Sequence, residues 1–421
     1  MYKIISVLLT VHLFGVCHAA ELCHQELVLD LETAWHRTIS YAPSIVVADE
    51  EIAIRESEKK QASLRPNPVA AVEAEDVLGT GPYKGWESAQ TTYSIYQSIE
   101  LGGKRGARTR FADSQAGVAF WDAQITRQNL RYELATVFIN TYIAQEKVKL
   151  AKERELIAER TFIIVEAQVQ AGKVSPIQRR RARIILKSSQ IATIEAFSQL
   201  MQAKKRLASM WGCPCPDFDT LAFNLFEYLH PPHLCQIAPG LSSTPDVAKS
   251  QQQIFAASKN LKLQKANRIP DVTLRAGYRT YGDTSDHAYV LEAQIPIPIF
   301  NQNQGNIQKA RQEINQASFR QEELLRSLRE RLAVAYEQWV AAFDKAEVFQ
   351  NGVLTEAMET FNLTQQGYQK GKLQYLDLLD AQRTLFEIQE QYLDVLNAYH
   401  LRKAEIERLS GEYNCKGDYE N

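Results

Sequence analysis

The constraint that rules out most folds is that this chain contains itself twice. A shift of 199 residues brings Gly106 onto Gly305, Arg127 onto Arg326, Gly172 onto Gly371 and Lys173 onto Lys372. The same shift brings Ala182 onto Ala381, Lys204 onto Lys403 and Gly212 onto Gly411. One offset holds without a gap from about residue 97 to 212. Upstream, RPNP (Arg65 to Pro68) answers RIPD (Arg268 to Asp271) at a slightly larger offset, so the segment between differs in length. Self-similarity at this period means one structural unit built twice.

Each copy predicts the same order of elements. A helix of middling length (30–64; 244–267) ends at a proline, and two strand-like runs follow (68–77 with 89–101; 270–281 with 287–300). Then come a very long helix (104–170; 303–369), a glycine turn and a return helix (175–211; 374–410). The organisation expected is a leader (1–19), a first repeat (20–212), a connector rich in Pro, Cys and His (213–243), a second repeat (244–411) and a tail (412–421).

The long helices carry coiled-coil seams. Leu130, Leu134, Val137 and Thr141 recur at three- and four-residue steps in the first copy, as do Ala335, Trp339, Ala342 and Ala346 in the second. A four-plus-four step at Leu324, Leu328 and Leu332 predicts a stutter that relaxes the supercoil there. A helix of roughly 67 residues rises about 100 Å, too long to wrap a compact globule. Such helices need partners of equal length.

The strands alternate. Val272, Leu274, Ala276 and Tyr278 fall on one side, and Asp271, Thr273, Arg275 and Arg279 on the other. Runs of about ten residues suit tilted membrane-spanning strands. They equally suit a small soluble sheet, and four strands cannot close a barrel alone. Pro296 and Pro298 cannot donate to a ladder, so the last strand must leave the sheet there.

With 45% hydrophobic residues, 23% charged and a formal net charge of −2, the chain has no basic excess for nucleic acid. Residues 1–19 place one lysine before an apolar run from Ile4 to Val16, with Ala19 behind it, which reads as a secretory signal. An acylated Cys17 or Cys23 is the alternative reading. No later stretch reaches the roughly 18 apolar residues of a spanning helix, so any membrane crossing must use strands. Five cysteines remain after cleavage: Cys23, Cys213, Cys215, Cys235 and Cys415. An exported chain favours a disulfide between the ends of the connector. A metal cluster of Cys213, Cys215, His230, His233 and Cys235 is the competing reading. Phosphate-binding loops, nucleophile elbows and His–Glu helix pairs are missing, so neither an enzyme nor a cofactor is expected, and His36, His287 and His400 are scattered.

The stretch from Gly367 to Leu385 holds the chain's most distinctive chemistry. A helix arrives at Gly371, the chain turns, and the outgoing helix carries an apolar stripe through Leu378, Ala381, Leu385, Ile388 and Tyr392. Asp377 and Asp380 each stand one residue before a stripe position, sharing a neighbouring face. Acids in a first helical turn are favoured by the helix dipole at about 0.3–1 kcal/mol, so helix-start chemistry accounts for them as readily as a pore does.

LDLETAW (Leu29 to Trp35), RPNP, IELGGKR (Ile99 to Arg105), IPIPIF (Ile295 to Phe300) and GYQKGKLQYLDLLDA together resemble the TolC-type outer-membrane efflux proteins, over essentially all of the mature chain. IELGGKR is most similar to the heavy-metal, CzcC-like branch. The resemblance implies a mainly α fold with a small β part: tandem long helical hairpins plus four strands per chain. Three chains would share a twelve-stranded barrel in outer-membrane lipid, with the helices forming one periplasmic tunnel. It implies a homotrimer working with a periplasmic adaptor and a resistance-nodulation-division pump, cations or small toxic compounds being the cargo. It casts Asp377 and Asp380 as a pore gate, six carboxylates in a trimer, which would concentrate cations. Where the family's type member has an arginine in this turn, this chain has Leu373 beside Lys372. The expected gate partners are Arg181 first, then Gln178, Tyr368 and Lys372, with Arg181 pairing Asp377 or Asp380. The tips AGKV (Gly172, Lys173, Val174) and KGKL (Gly371, Leu373) would meet the adaptor, although turn chemistry explains their glycines equally well. A secreted coiled-coil scaffold without a pore, and a periplasmic metal-binding protein, remain as rivals.

Overall fold

The computed structural model describes residues 26–411. The leader, the tail beyond Gly411, Cys23 and Cys415 lie outside the described residues. The chain divides into two compact units. One comprises the residues up to Val46, Thr126–Thr244 and those from Ser327; the other comprises Val47–Ile125 and Pro245–Arg326. The elements in chain order are β1 (Glu26–Leu29), α1 (Leu31–Tyr41), α2 (Pro43–Ala62), β2 (Val69–Glu75), β3 (Gln90–Ile99), α3 (Lys104–Gln170) and α4 (Pro176–Ser209). After these come β4 (Phe218–Leu221), α5 (Leu234–Ile237), α6 (Pro245–Ala266), β5 (Val272–Tyr281), β6 (His287–Gln294), α7 (Gln304–Val348), α8 (Leu354–Gln369) and α9 (Tyr375–Ser410).

The second unit is built on a four-stranded antiparallel sheet in the order β2-β3-β5-β6. Its two faces differ in chemistry. On one, Arg275 ties Glu73 of β2 to Glu292 of β6, the latter at 3.4 Å, and its guanidinium lies 5.0 Å from the Tyr96 ring. Arg279 donates to Thr92 Oγ1 at 2.8 Å and Gln90 Oε1 at 3.1 Å and pairs with Glu75 at 2.8 Å. These bonds cross the ladder and fix its register, since a one-residue slip would move every partner to the opposite face. The other face is bare and apolar. Val72, Tyr93, Tyr278 and Tyr289 form one row across all four strands, and Leu291 is 83% exposed. A patch this continuous needs a non-aqueous neighbour. β6 ends at Gln294, before Pro296 and Pro298, as their missing N–H groups require.

Two strand-to-helix junctions complete this unit. In IELGGKR, Gly102 and Gly103 take left-handed φ of +67° and +70°. A Cβ on Gly102 would stand 2.6 Å from Ile269 Cδ1, so close approach as well as φ demands glycine there. Lys104 then reaches Asp271 at 2.7 Å, and Arg108 pairs with Glu100 at 2.6 Å while donating to the Ala62 carbonyl at 2.8 Å. The second copy makes the same change of direction with Asn303 at φ +59°, an αL position that asparagine tolerates.

The first unit is helical apart from the short parallel pair β1–β4. Its connector is strapped down by specific contacts. Tyr399 Oη donates to the Leu229 carbonyl at 2.7 Å, and Gln145 Oε1 accepts from the Leu221 amide at 3.0 Å. Buried His400 meets the Leu225 carbonyl at 2.8 Å, edge-on to Phe223. Burial holds its imidazole down at about 4. Among the described residues no helix is long and apolar enough to cross a membrane.

Three expectations are corrected. The helix expected over 30–64 breaks at Ala42, because Pro43 opens a new helix whose first N–H needs no partner. The long helix expected over 303–369 is interrupted by a π turn at Phe349–Val353, which contains Gly352. The disulfide across the connector does not form: Cys215 and Cys235 are free and exposed, so the bond that Cys213 makes is to neither of them.

Candidate functional site: the hairpin tips

Both hairpins turn by the same device. Gly172 and Gly371 take φ of +66° and +70°. The Lys173 amide donates back to the Gln168 carbonyl at 2.9 Å, and the Lys372 amide to the Gly367 carbonyl at 2.8 Å. These are the six-to-one bonds of Schellman caps, which satisfy carbonyls that a helix end leaves unpaired. In the second tip the accompanying apolar contact is Leu373 on Gly367, where an added Cβ would lie 2.6 Å from Leu373 Cδ1. Leu373 is still 41% exposed, so its outer surface is available.

The helices leaving the turns begin differently. Ser175 caps α4 by accepting from the Ile177 amide at 3.3 Å, with Pro176 at the first helical position. α9 begins with a capping box in which the Gln374 amide donates to Asp377 Oδ2 at 2.8 Å. Asp377 is therefore committed to its own helix start, although its side chain stays exposed. Asp380, also exposed, has Arg383 as its charged neighbour, and Arg383 in turn pairs with Glu387 at 2.7 Å.

Beneath the turn lies an apolar knot of Val165, Ala182, Phe361, Tyr368, Tyr375, Leu378 and Leu385. The stripe read from the sequence supplies its α9 side. Tyr368 and Tyr375 are 2% and 3% exposed, with rings 5.7 Å apart. Tyr368 Oη donates to Gln178 Oε1 at 3.2 Å, and Gln168 donates to the Tyr368 carbonyl at 3.2 Å, so the second hairpin is tied to both helices of the first. The Tyr375 hydroxyl is buried without a hydrogen-bond partner, and that burial pushes its pKa up, with exposed Arg181 as the nearby charge opposing the shift.

Of the sequence-predicted partners, the structure brings Gln178 and Tyr368 together and places Lys173, Val174, Arg181, Gly371 and Leu373 around one cleft. It does not join Arg181 to Asp377 or Asp380: no ion pair links them within the protomer. Tyr375 and Gln168 are not singled out by the sequence pattern; the spacing of Tyr375 from Tyr368 by one turn-containing heptad is the signal that points to the first of them. The rival metal site is not assembled either, since no group of three or more His, Cys, Asp or Glu among the described residues is placed to hold a cation.

The family described as outer membrane efflux protein matches residues 52–213 and 240–412. The chain is 31% identical over 386 residues to the cobalt-zinc-cadmium resistance protein CzcC of Cupriavidus metallidurans, covering 91% of this chain and 90% of that one. It is 24% identical over 280 residues to the cation efflux system protein CusC of Escherichia coli K12, covering 62% of this chain and 59% of that one. Among solved structures, CusC superposes with a TM-score of 0.78 at 18% identity, covering 91% of this chain and 92% of the other. The open-state MtrE channel of Neisseria gonorrhoeae superposes at 0.75 and 19% identity, covering 91% and 89%. By family match and by fold alike, this chain belongs to the outer membrane efflux proteins, seated in the outer membrane with its long helices in the periplasm.

Proposed function

We propose that three copies of this chain form the exit duct of a tripartite heavy-metal efflux pump, a passive channel whose periplasmic end is narrowed by the second hairpin. The observation that carries the reading is the four-stranded sheet with two free edges, one apolar face and one ion-paired face. Four strands cannot close. Joining β6 of one copy to β2 of the next satisfies both edges, turns the apolar face to lipid and leaves the charged face around a lumen. The metal cargo is inferred from the CzcC relative, named for cobalt, zinc and cadmium. A periplasmic adaptor would grip the two tips, with Val174 and Leu373 as apolar anchors beside Gly172, Lys173 and Gly371. An inner-membrane resistance-nodulation-division pump would supply the energy.

Asp377 and Asp380 are the acids of the proposed gate. Both are exposed, and Asp377 accepts the Gln374 amide at 2.8 Å in the capping box of its own helix. The tie that holds the tip in place is the neutral Tyr368–Gln178 hydrogen bond rather than an Arg181 ion pair. Planar-bilayer recording tests the whole reading. The purified chain is expected to give trimer-sized, cation-preferring conductance, and the double substitution Asp377→Asn with Asp380→Asn to lower the cation-to-anion permeability ratio several-fold. A water-soluble monomer with no conductance would refute the duct. Conductance with an unchanged ratio in the double variant would refute the gate alone.

A further inference from the structure

The geometry points to a docking site for the headgroup of an anionic phospholipid at the rim where the strands hand over to the helices, with Arg65 and Arg105 as its cations. The inference rests on the seat of the sheet in the outer membrane.

The two ends of the sheet carry opposite charge. The hairpin end has Asp76, Glu87, Asp283 and Asp286 against Lys84. The helix end has Arg65, Lys104, Arg105, Arg108, Arg110 and Arg268 against Glu100 and Asp271. Both of these acids are already taken, Asp271 by Lys104 at 2.7 Å and Glu100 by Arg108 at 2.6 Å. Arg65 and Arg105 are exposed and hold no ion pair among the described residues. They line one cleft of about 610 Å³ together with Gln97, Ile99, Lys104 and Glu100, the acid that Arg108 already holds. Unmatched cations converging on a cleft favour an anion.

The cleft's position selects a lipid over a free ion. The cleft straddles the end of β3: Gln97 and Ile99 share the strand face of Tyr93 and Ile95, the bare apolar side, while Ser98 belongs to the opposite face, so one wall of the cleft adjoins the surface where acyl chains would lie. Beyond β6, Ile295, Ile297 and Ile299 keep the odd-numbered parity of that face, and with Phe300 they are 53%, 78%, 67% and 89% exposed. Cations immediately beside an apolar band are the signature of headgroup recognition at a membrane surface. The glycine pair hold Arg105 in place: Gly102 is pressed against Ile269, and α3 is anchored by Lys104 and Arg108. The pocket is thus formed before any lipid arrives.

The test uses the full-length chain in neutral detergent, equilibrated with equimolar phosphatidylglycerol and phosphatidylcholine, with co-retained lipid counted by native mass spectrometry. The wild type is expected to retain phosphatidylglycerol about fivefold over phosphatidylcholine. Arg65→Gln with Arg105→Gln is expected to bring the ratio close to parity, and Arg65→Lys with Arg105→Lys to preserve it, which separates lost charge from lost folding. Equal retention of both lipids by the wild type overturns the inference, as does an undiminished preference in the glutamine variant. Complete displacement by inorganic phosphate also overturns it, by making the cleft a free-anion site. Retention of neither lipid overturns it as well, while the conductance recording tests the barrel separately.

Discussion

The two hairpin tips are the same turn put to different uses. Backbone geometry is common to both, down to glycines at φ +66° and +70° and matching six-to-one bonds. The chemistry around them diverges. At the shift of 199 residues, Tyr368 and Tyr375 stand where the first copy has Val169 and Pro176, and Leu378 where it has Arg179. α3 runs 67 residues without interruption, whereas its counterpart is divided by the π turn at Phe349–Val353. Duplication supplied a pair of rods, and divergence gave one of them a buried aromatic knot, acids beside its turn and a break in its helix. A turn that is conformationally required stays fixed, while the residues just outside it are free to specialise.

The largest test of this asymmetry compares Leu378→Ala with Arg179→Ala. Leu378 is fully buried in the knot, so its truncation is expected to cost about 3–4 kcal/mol, read as a drop in the melting temperature of the detergent-solubilised protein. Arg179 makes only a half-exposed pair with Glu166 at 3.5 Å, and its loss is expected to cost about 0.5 kcal/mol or less. Equal costs would mean that the two copies share one packing role.

The next effect is a pH dependence confined to the second copy. His400 occupies the position where the first copy has Met201, which is 46% exposed. Its folded pKa of about 4 lies below the ordinary 6.5, so the fold prefers the neutral ring. Its contribution is intact above pH 6.5 and fades as pH falls toward 4, with about 3 kcal/mol as the upper bound. The groups facing it are the Leu225 carbonyl, Phe223, Tyr399 and Lys403. A melting series from pH 7 to 4 is expected to flatten in His400→Gln. An unflattened curve would assign the acid sensitivity elsewhere.

Gly172→Ala and Gly371→Ala are then expected to cost about the same, 1–2 kcal/mol each, because a left-handed alanine is strained wherever it sits. A large disparity would show that one turn is not doing the same conformational task as the other. Smallest in energy, Tyr368→Phe removes one hydrogen bond worth about 1 kcal/mol. Yet it is expected to raise single-channel open probability, while Val169→Ala leaves it unchanged.

Much of this architecture was legible because periodicity and punctuation report it directly. The constant offset exposed the duplication, Pro296 and Pro298 marked where β6 must stop, and the Leu378–Ala381–Leu385 stripe named the buried side of α9. The box between Gln374 and Asp377 is also visible in the sequence as a polar residue three before an acid. What stayed hidden was tertiary. Nothing local says that Tyr368 reaches Gln178, 190 residues away, or that Arg181 does not reach the acids. Cysteine pairing cannot be read from spacing, and Cys213 shows it. α7 runs unbroken through Leu324–Leu332, and the interruption falls instead at Phe349–Val353, around Gly352.

That widened turn has a rotational consequence. An extra residue in one turn advances everything after it by about 100° around the axis, because each residue of an α-helix turns by that much. A straight rod would carry one stripe along one bearing for its whole length; this one changes bearing between Phe349 and Val353, so the stripe of the 16 residues that follow is aimed apart from that of the shaft behind them.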